Sequence, residues 1–467
     1  MSWSTAEIVA ATGGKVVRDG GTRSFGEVCT DSKKVENGAV FLALKGERFD
    51  GHAFLKDAVR RGAACLVIHS RPPRGGLGGA TVIRVRSTLE ALGDLARYRR
   101  AKVAPKVLAI TGSNGKTTTK EMVAAILERG SLRGRPLGGS ILKTEGNYNN
   151  LVGLPLTLLR LKGRDKVAVV ELGTSRPGEI ARLTEIAAPD IGLVTSVAPA
   201  HLAGFGSLVG VAKEKGALYQ GLKADAIAVI NLDDPWVRRL GGRFKGEKIT
   251  YGKGGDVRAE SLKPLGPGGA EFTLRVGGGR RRVRLKLCGE HNLANALAAA
   301  AMTYGLGVGM DAMRRGLESM RPFPMRMAVE RWRGVGLIND AYNANPASMK
   351  AALKALSEIE ARGEKIAVLG DMLELGTASR PSHVELGRQA ARFGVDRLYL
   401  LGAAAAQVKH SAVREGMNED RVVIGKSHRK IARMLEKHVR AGDWLLFKGS
   451  RGMQMETVLA ALKESRA

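Results

Sequence analysis

The sequence predicts an α/β protein with three domains. Its 467 residues suggest about three domains at roughly 150 residues each. From residue 104 onward, short apolar runs typical of buried parallel strands alternate with helical patterns, which favours doubly wound sheets. Proline-containing junctions at Ala104-Pro105 and Arg321-Pro-Phe-Pro324 divide the chain into predicted domains at residues 1–103, 104–320 and 321–467.

Residues 1–103 predict a small mixed α/β domain. The apolar segment Ala39-Val-Phe-Leu-Ala-Leu44 has the character of a short strand, and a turn follows it at Lys45-Gly46. A basic helical stretch ends near Lys102, just before the first junction.

Residues 104–320 predict a doubly wound central domain. Buried-strand candidates occur at residues 107–110, 167–170, 191–194 and 226–230, with helical patterns between them. Residues 272–276 and 283–287 predict a hairpin. Its basic side chains at 282, 284 and 286 alternate with apolar ones and so indicate a solvated face.

Residues 321–467 predict a smaller, Rossmann-like α/β domain. Strand candidates lie at residues 336–338, 366–369, 397–401 and 444–447, and helical stretches such as 348–356 and 431–439 separate them.

The charge is unusual but evenly distributed. The formal net charge is +30, divided as +8 over residues 1–102, +13 over 103–319 and +9 over 320–467. A nucleic-acid-binding P-loop ATPase would need a concentrated basic stripe with interleaved aromatic residues. Aromatic residues make up only 4% of the chain, so we expect no nucleic-acid partner.

The cysteine spacing and the length of the apolar runs indicate in which cellular compartment we expect the protein. Cys29, Cys65 and Cys288 show no C-x-x-C spacing, which predicts buried or incidental thiols rather than a disulfide framework or a zinc site. The sequence shows neither a signal-peptide pattern nor a run of 18 apolar residues. We therefore expect a cytoplasmic protein without an integral membrane segment.

The strongest local motif is Thr111-Gly-Ser-Asn-Gly-Lys-Thr-Thr-Thr119, between a buried strand and a predicted helix at residues 120–128. Its two glycines would let backbone N–H groups close around phosphate oxygens at a helix N-terminus. Lys116 would reach the β- and γ-phosphates, and the Thr117 hydroxyl would bind Mg²⁺. Ile110 stands where the usual P-loop motif has its first glycine. The motif predicts an ATP or GTP site.

Glu171 ends the next strong strand, where P-loop proteins place a metal-binding carboxylate. A single carboxylate at a strand end is also compatible with a solvated loop acid, so both interpretations stay open.

Further motifs accompany the shortened phosphate loop in all three predicted domains. They are Thr30-Asp-Ser-Lys33, Leu44-Lys-Gly-Glu-Arg-Phe-Asp-Gly-His52, Gly146-Asn-Tyr-Asn-Asn-Leu-Val-Gly-Leu-Pro155, Ala200-His-Leu-Ala-Gly-Phe-Gly-Ser207, His291-Asn-Leu-Ala-Asn-Ala296, Asp340-Ala-Tyr-Asn-Ala-Asn-Pro346, Leu369-Gly-Asp-Met-Leu-Glu-Leu-Gly376 and Lys448-Gly-Ser-Arg-Gly-Met-Gln-Met-Glu456. In this order they resemble the Mur ligases, which build the peptide of the bacterial cell wall. The resemblance implies an N-terminal domain for the UDP end of a substrate, a central ATP-binding P-loop domain and a C-terminal Rossmann-like ligase domain.

The resemblance also implies a reaction. A carboxylate of UDP-N-acetylmuramoyl-tripeptide attacks the γ-phosphate of ATP, and the amine of D-alanyl-D-alanine attacks the resulting acyl phosphate, a step in peptidoglycan synthesis that serves cell shape and division. Residues 146–150 and 342–346 favour this dipeptide-adding enzyme. The tripeptide-forming ligase is the alternative, but its D-N-P-R signature is absent. The implied partners are these small molecules, and we expect a monomer.

By resemblance, Lys116, Glu171, His201 and Lys215 form the catalytic set. The implied cofactors are ATP, two Mg²⁺ ions and a CO₂-derived carbamate on Lys215, with Thr117, Glu171, His201 and carbamylated Lys215 as metal ligands. Lys213 is the competing site of carbamylation. Without the family, both lysines would be interpreted as solvated and His201 as an ordinary loop histidine.

The resemblance assigns the remaining motif residues to two ligands. The ATP-binding set is Gly112, Ser113, Asn114, Gly115, Lys116, Thr117, Thr118, His291, Asn292, Asn295, Arg326, Asp340 and Asn343. The substrate-binding set is Asp31, Ser32, Lys45, Gly46, Asp50, Gly51, His52, Thr144, Asn147, Asn149, Asn150, Asn345, Lys448 and Arg451.

Several other positions match family motifs or depart from them. By resemblance, Tyr342 belongs to the part of the last domain that closes over the nucleotide. Asp371, Glu374, Ser379 and His383 match other motifs of that domain without an individual role. Lys33 stands where arginine is common, which weakens planar contact with pyrophosphate. Asn339 stands where a first acid is expected and cannot carry its charge.

Overall fold

A computed structural model describes residues 2–46, 49–73, 75–132 and 134–464. Within these ranges the chain forms three main sheets and one short two-stranded ribbon. Glu47 and Arg48, which belong to the motif Leu44–His52, lie outside the described residues.

The first sheet has five strands, four of them parallel. Its elements are α1 (Thr5–Thr12), β1 (Lys15–Arg18), β2 (Val28–Cys29), β3 (Val40–Leu42), α2 (Leu55–Arg60), β4 (Cys65–Ile68), β5 (Thr81–Arg84) and α3 (Thr88–Val103). The strand order is β1-β5-β4-β3-β2, and β1 lies antiparallel on the edge. Alternate side chains of β3 and β4 enter two different cores. This double burial explains why both strands are apolar throughout.

The second sheet has nine strands and carries the phosphate loop. Its elements, together with the β7–β8 ribbon, are β6 (Lys106–Thr111), α4 (Lys116–Leu127), β7 (Ser131–Leu132), β8 (Arg135–Pro136), β9 (Ile141–Lys143), α5 (Gly153–Leu159), β10 (Val167–Glu171), α6 (Glu179–Ala187), β11 (Ile191–Val194), α7 (Leu202–Phe205), α8 (Leu208–Gln220), β12 (Ile227–Asn231), α9 (Pro235–Gly242), β13 (Glu247–Tyr251), β14 (Val257–Pro264), β15 (Ala270–Val276), β16 (Gly279–Leu285), α10 (Glu290–Gly305) and α11 (Met310–Glu318). The order is β16-β15-β14-β13-β12-β11-β6-β10-β9.

Helices cover both faces of the parallel part of this sheet, as the sequence predicts. Leu108 and Ile110 of β6 pack into one core with α4, α10 and α11. Val107 and Ala109 pack into the opposite core with α5, α6 and α8. Because successive side chains of a strand point to opposite faces, the buried strands of this part are apolar on both faces along most of their length.

The third sheet has six strands and gathers the C-terminal motifs. Its elements are β17 (Ala328–Trp332), β18 (Val335–Asn339), α12 (Pro346–Ser357), β19 (Lys365–Gly370), α13 (Ser379–Arg392), β20 (Arg397–Leu401), α14 (Ala405–Arg414), β21 (Val422–Ile424), α15 (His428–His438), β22 (Trp444–Lys448) and α16 (Glu456–Glu464). The order is β17-β18-β22-β19-β20-β21, with β17 antiparallel and the others parallel.

The predicted α/β fold class is confirmed, with local differences. Helix α4 begins at Lys116, four residues earlier than predicted, because the phosphate loop turns directly into its first helical turn despite three threonines. The predicted hairpin is present as β15 and β16, but its second strand spans Gly279–Leu285 and not the predicted residues 283–287. It extends the parallel sheet through β13 and β14, which the sequence analysis did not identify because those strands carry charged residues among few apolar ones.

Candidate active site

A cavity of about 730 Å³ lies where the second and third sheets face each other. Loops that follow the carboxyl ends of β6, β10, β11 and β12 line one side. Residues that follow β18, together with Lys448 at the end of β22, line the other. Open parallel sheets generally bind ligands at the carboxyl ends of their strands. This cavity is therefore the candidate active site.

The phosphate loop forms one wall and needs glycine at two positions. Gly112 has φ +137°, and a Cβ there would lie 2.0 Å from Thr195 Oγ1. Gly115 has φ +82°, and a Cβ there would lie 2.3 Å from Asn295 Oδ1. Both the left-handed backbone and the close neighbours exclude a larger side chain without rearrangement.

The loop is braced by the segment that follows β11. Ser113 Oγ donates to Ala198 O at 2.9 Å and accepts from the Ala198 N–H at 2.9 Å. Thr195 Oγ1 donates to Asn114 O at 2.5 Å, and the Asn114 N–H donates to Ser196 Oγ at 3.3 Å. These bonds hold the loop against the segment after β11. The sequence motifs gave no indication of Thr195 or Ser196.

Lys116, Thr117 and Glu171 meet at the start of α4. Lys116 Nζ folds back onto Gly112 O at 2.8 Å, and burial lowers the pKa of its ammonium while Glu171 opposes the shift. Thr117 Oγ1 donates to Glu171 Oε2 at 2.9 Å. Glu171 is 3% exposed, so it is a buried carboxylate and not a solvated loop acid.

The asparagine loop that precedes α5 contacts the same carboxylate. Asn149 Nδ2 donates to Glu171 Oε1 at 2.9 Å. Asn150 Oδ1 accepts from the N–H groups of Val152 and Gly153, so Asn150 acts as a turn former. Asn149 and Asn150 line the cavity, whereas Asn147 and Thr144 do not.

Lys215 and His201 lie farther along the cavity. Lys215 is 3% exposed, which excludes the solvated interpretation, whereas Lys213 is exposed. Burial holds the pKa of Lys215 well below its ordinary value, and the nearby Lys116 charge adds to this. Burial also lowers the pKa of His201. His201 has φ +51°, and its Nδ1 lies 2.5 Å from Glu374 Oε2 of the loop after β19.

The histidine–asparagine motif of α10 lies beside the phosphate loop. Asn295 Oδ1 accepts from Thr119 Oγ1 at 3.3 Å, and Asn295 Nδ2 donates to Asn292 Oδ1 at 3.2 Å. Asn292 Nδ2 donates to Cys288 O at 2.8 Å. His291 lines the cavity. The motif thus both begins the helix and supports the loop.

The third sheet contributes groups that reach the phosphate loop. Arg326 Nη2 donates to Thr117 Oγ1 at 3.0 Å, and its guanidinium lies 3.8 Å from the centre of the Tyr342 ring. Asn345 Nδ2 donates to Asn114 Oδ1 at 2.8 Å, and Asn114 Nδ2 donates back at 3.4 Å.

Lys448 forms an ion pair with Asp340, and Lys448 Nζ also donates to Asn343 O at 3.0 Å. Asp340 Oδ1 accepts from the Met327 N–H at 3.0 Å. Asn339 lies at the end of β18 and its Oδ1 accepts from the Ala341 N–H at 3.2 Å. The motifs Asp340–Pro346 and Lys448–Glu456 therefore hold each other in place at the cavity wall.

Several other motif residues have contacts that support the fold. Asp371 accepts from the N–H groups of Ala403 and Ala404. His383 is buried, and its Nε2 accepts from the Met372 N–H at 3.0 Å. Its ring also contacts Ser379, and Arg451 forms an ion pair with Glu456 outside the cavity.

The N-terminal motif residues lie outside the cavity, on the first sheet. Asp31 caps a 3₁₀ turn by accepting from the Lys33 N–H at 3.0 Å. Asp50 Oδ1 lies 2.6 Å from His52 Nδ1, and His52 Nε2 accepts from the His69 N–H at 3.2 Å. The predicted set on this sheet is Asp31, Ser32, Lys45, Gly46, Asp50, Gly51 and His52.

The oxygen donors fit a magnesium ion that also binds phosphate. Mg²⁺ is usually held by one or two carboxylates together with substrate phosphates and water, and Glu171 and Thr117 supply a carboxylate and a hydroxyl 2.9 Å apart. Across residues 2–464, outside the gaps given above, no group of three or more His, Cys, Asp or Glu side chains is arranged to hold an ion. The fit therefore depends on phosphate oxygens.

Two further observations, on membrane spans and on cysteines, concern the described part of the chain. None of its helices is long and apolar enough to span a bilayer. Its three cysteines are free thiols, with Cys65 and Cys288 buried and Cys29 half-buried, in agreement with the prediction.

The fold and the site define a P-loop nucleotide-binding α/β protein whose phosphate loop faces a second α/β unit. Three family models match the chain: the Mur ligase family catalytic domain at residues 25–100, the Mur ligase middle domain at 110–303 and the Mur ligase glutamate ligase domain at 325–451. The chain belongs to the Mur ligase family.

Individual relatives resemble the chain over nearly its whole length. It is 39% identical to the UDP-N-acetylmuramoyl-tripeptide–D-alanyl-D-alanine ligase of Escherichia coli (strain K12), over 94% of each chain. A crystal structure of MurF from Acinetobacter baumannii aligns with a TM-score of 0.90 at 34% identity, covering 99% of each chain. MurF ligase from Thermotoga maritima in complex with ADP aligns with a TM-score of 0.82 at 31% identity, covering 94% of this chain and 98% of that one.

Proposed function

We propose that this protein is an ATP-dependent amide ligase that joins D-alanyl-D-alanine to UDP-N-acetylmuramoyl-tripeptide in peptidoglycan synthesis. The observation that carries the proposal is the shared cavity, in which the phosphate loop, Glu171 and Lys215 face Arg326 and Asn345 of the third sheet. Two relatives that match nearly the whole chain are named UDP-N-acetylmuramoyl-tripeptide–D-alanyl-D-alanine ligases. No observation favours the tripeptide-forming reaction or a nucleic-acid-binding ATPase.

In this proposal, the start of α4 binds the ATP phosphates. Backbone N–H groups of residues 112–118 and the Lys116 ammonium offset the phosphate charge, since Lys116 Nζ can leave Gly112 O when an anion enters. Arg326 approaches the same oxygens from the opposite side of the cavity. Bound Mg²⁺ would further neutralise the phosphates, and Thr117 and Glu171 would hold it. The tripeptide carboxylate can then approach the γ-phosphate, which two bare anions could not do.

His201 and Lys215 are proposed to serve a second magnesium ion and the carboxylate. A buried lysine with a lowered pKa has a larger fraction of neutral amine, which is the form that attacks CO₂. The amine nitrogen bonds to the carbon of CO₂ and releases one proton, so the side chain becomes an anionic oxygen donor. Exposed Lys213 has no such environment.

The ligand assignments beyond the cavity are also proposals. We assign the UDP end to the first sheet, with Asp31, Ser32, Lys45 and His52 among its contacts, and divide the chain at residues 103 and 320. We further propose hinge closure of the C-terminal domain near 321–324, a monomeric state and a cytoplasmic location.

One assay tests the activity directly. The protein is incubated with ATP, Mg²⁺, UDP-N-acetylmuramoyl-tripeptide and D-alanyl-D-alanine, and ADP and the UDP-linked pentapeptide are measured by mass spectrometry. Both products should appear together, and Lys116→Ala should abolish both. ADP without pentapeptide would contradict the ligase and favour a plain ATPase.

A second experiment tests the carbamate. Lys215→Ala should lose most of the activity and regain part of it with added bicarbonate and a short carboxylic acid, whereas Lys213→Ala should behave as wild type. Full activity of Lys215→Ala would exclude the assignment. The mass of the intact wild-type protein, measured without acid, should show the added CO₂.

A further inference from the structure

Lys120 is a buried cation to which the proposed reaction gives no role. It follows Lys116 by one helical turn on α4, and its side chain is 1% exposed. Burying an ammonium is costly unless its donors find partners. Its contacts therefore indicate what it does.

Two acceptors meet the Lys120 ammonium. Nζ lies 2.8 Å from Glu121 Oε1 and donates to Thr144 O at 2.5 Å. Glu121 Oε2 already pairs with Lys143 Nζ at 2.6 Å, and Lys143 is 37% exposed. Glu121 therefore has a second cation, whereas among the described residues the Thr144 carbonyl accepts a side-chain donor only from Lys120.

Thr144 connects this carbonyl to the candidate metal carboxylate. It is fully buried directly after the edge strand β9, and its Oγ1 accepts from the Glu171 N–H at 3.0 Å. Glu171 in turn accepts from Thr117 and Asn149. A continuous set of hydrogen bonds thus runs from Lys120 through Thr144 to Glu171, and returns to α4 at Thr117.

We propose that Lys120 is a positioning residue that holds Thr144, and through it the Glu171 carboxylate, at the distance from Thr117 that a phosphate-bound magnesium ion requires. The inference rests on the proposed ligase function. It adds the requirement that α4 holds both members of the Thr117–Glu171 pair. The first turn of α4 carries Thr117, and Lys120 of the second turn holds Glu171 through Thr144.

The test compares Lys120→Met with Lys143→Met in the full-length protein. Both changes remove a partner of Glu121, but only the first frees the Thr144 carbonyl. We expect Lys120→Met to lower kcat about 10- to 100-fold, as is typical for groups that orient metal ligands, with the KM for ATP nearly unchanged. Lys143→Met should stay within about threefold of wild type, as expected for a partly exposed pair.

Two further measurements separate positioning from mere stability. The gain in ADP affinity that Mn²⁺ produces, measured by calorimetry, should be reduced in Lys120→Met while ADP affinity without metal stays the same. Adding Lys120→Met to Glu171→Gln should cost little more than Glu171→Gln alone, because both act on the same carboxylate. A wild-type gain in ADP affinity from Mn²⁺ in Lys120→Met would overturn the proposal. So would losses of kcat that multiply when Lys120→Met and Glu171→Gln are combined.

Thr144→Val provides a second route if Lys120→Met does not fold. It removes the hydroxyl that accepts from Glu171 and should produce the same loss of kcat and of the Mn²⁺ gain. A Thr144→Val variant that keeps the wild-type kcat and the wild-type Mn²⁺ gain would also overturn the proposal. If the wild-type protein makes no pentapeptide, the ligase function fails, whereas the Mn²⁺ measurement still tests Lys120.

Discussion

The reciprocal amide pair between Asn114 and Asn345 should couple nucleotide binding to docking of the third sheet. One of its bonds is short, at 2.8 Å, and the other is long, at 3.4 Å. A net hydrogen bond contributes about 0.5–1.5 kcal/mol, so the pair should stabilise the docked arrangement by about 1 kcal/mol. That is about a fivefold change in an equilibrium constant.

The chain offers a matched set of variants. Asn345 also caps α12, since its Oδ1 accepts from the Ser348 N–H at 2.9 Å. Asn345→Ser keeps a capping oxygen and removes the pair, whereas Asn345→Ala removes both and should cost about 1 kcal/mol more in stability. Asn114→Ala removes the pair and leaves the cap of α12 intact.

Calorimetric titration with ADP measures the coupling. Asn114→Ala and Asn345→Ser should each raise the dissociation constant about fivefold, and the double variant should bind no more weakly than either single one. Thermal unfolding should place Asn345→Ala below Asn345→Ser. A wild-type dissociation constant for Asn345→Ser, or a double variant about 25-fold weaker, would refute the reasoning.

Three further predictions follow from local geometry. Gly115→Ala should lose ATP binding and be destabilised by more than the roughly 1–2 kcal/mol of left-handed strain, because its Cβ would meet Asn295. The control is Gly139→Ala, which has φ +75° and open space around its Cβ and should show the strain alone. Equal melting temperatures of the two variants would contradict this. Glu374→Ala should lower kcat/KM less than about fivefold, because the Glu374 side chain is 64% exposed in its pair with His201. Glu374→Gln should match wild type. A loss of kcat/KM of about a hundredfold in Glu374→Ala would contradict this minor contribution. Burial raises the pKa of Glu121, but hydrogen bonds from Lys120 and Lys143 outweigh it and leave the pKa below its usual value. Its stabilising contribution is complete above the ordinary pKa of 4.5 and is lost as the pH falls through the lowered folded value. Urea unfolding between about pH 6 and pH 3 should therefore show a larger loss for wild type than for Glu121→Gln, and parallel losses would exclude the effect.

Local patterns predicted much of the fold and the phosphate loop. A parallel strand buried on both faces needs a continuous apolar run, which made β6, β10 and β11 recognisable. The charged strands β13 and β14 were missed because each has exposed side chains, so neither forms a continuous apolar run. Glycine at 112 and 115 followed from the backbone that a phosphate loop requires.

The sequence by itself thus determined the fold class, the family and the residue types available for phosphate and metal. Only the tertiary structure decided which of these residues meet. It buried Lys215 and left Lys213 exposed, and it turned His383, Asp371 and Asn150 into supports of the fold. Burial and pairing depend on residues far apart in the chain, as Lys120, Thr144 and Glu171 show, and no local pattern records those distances.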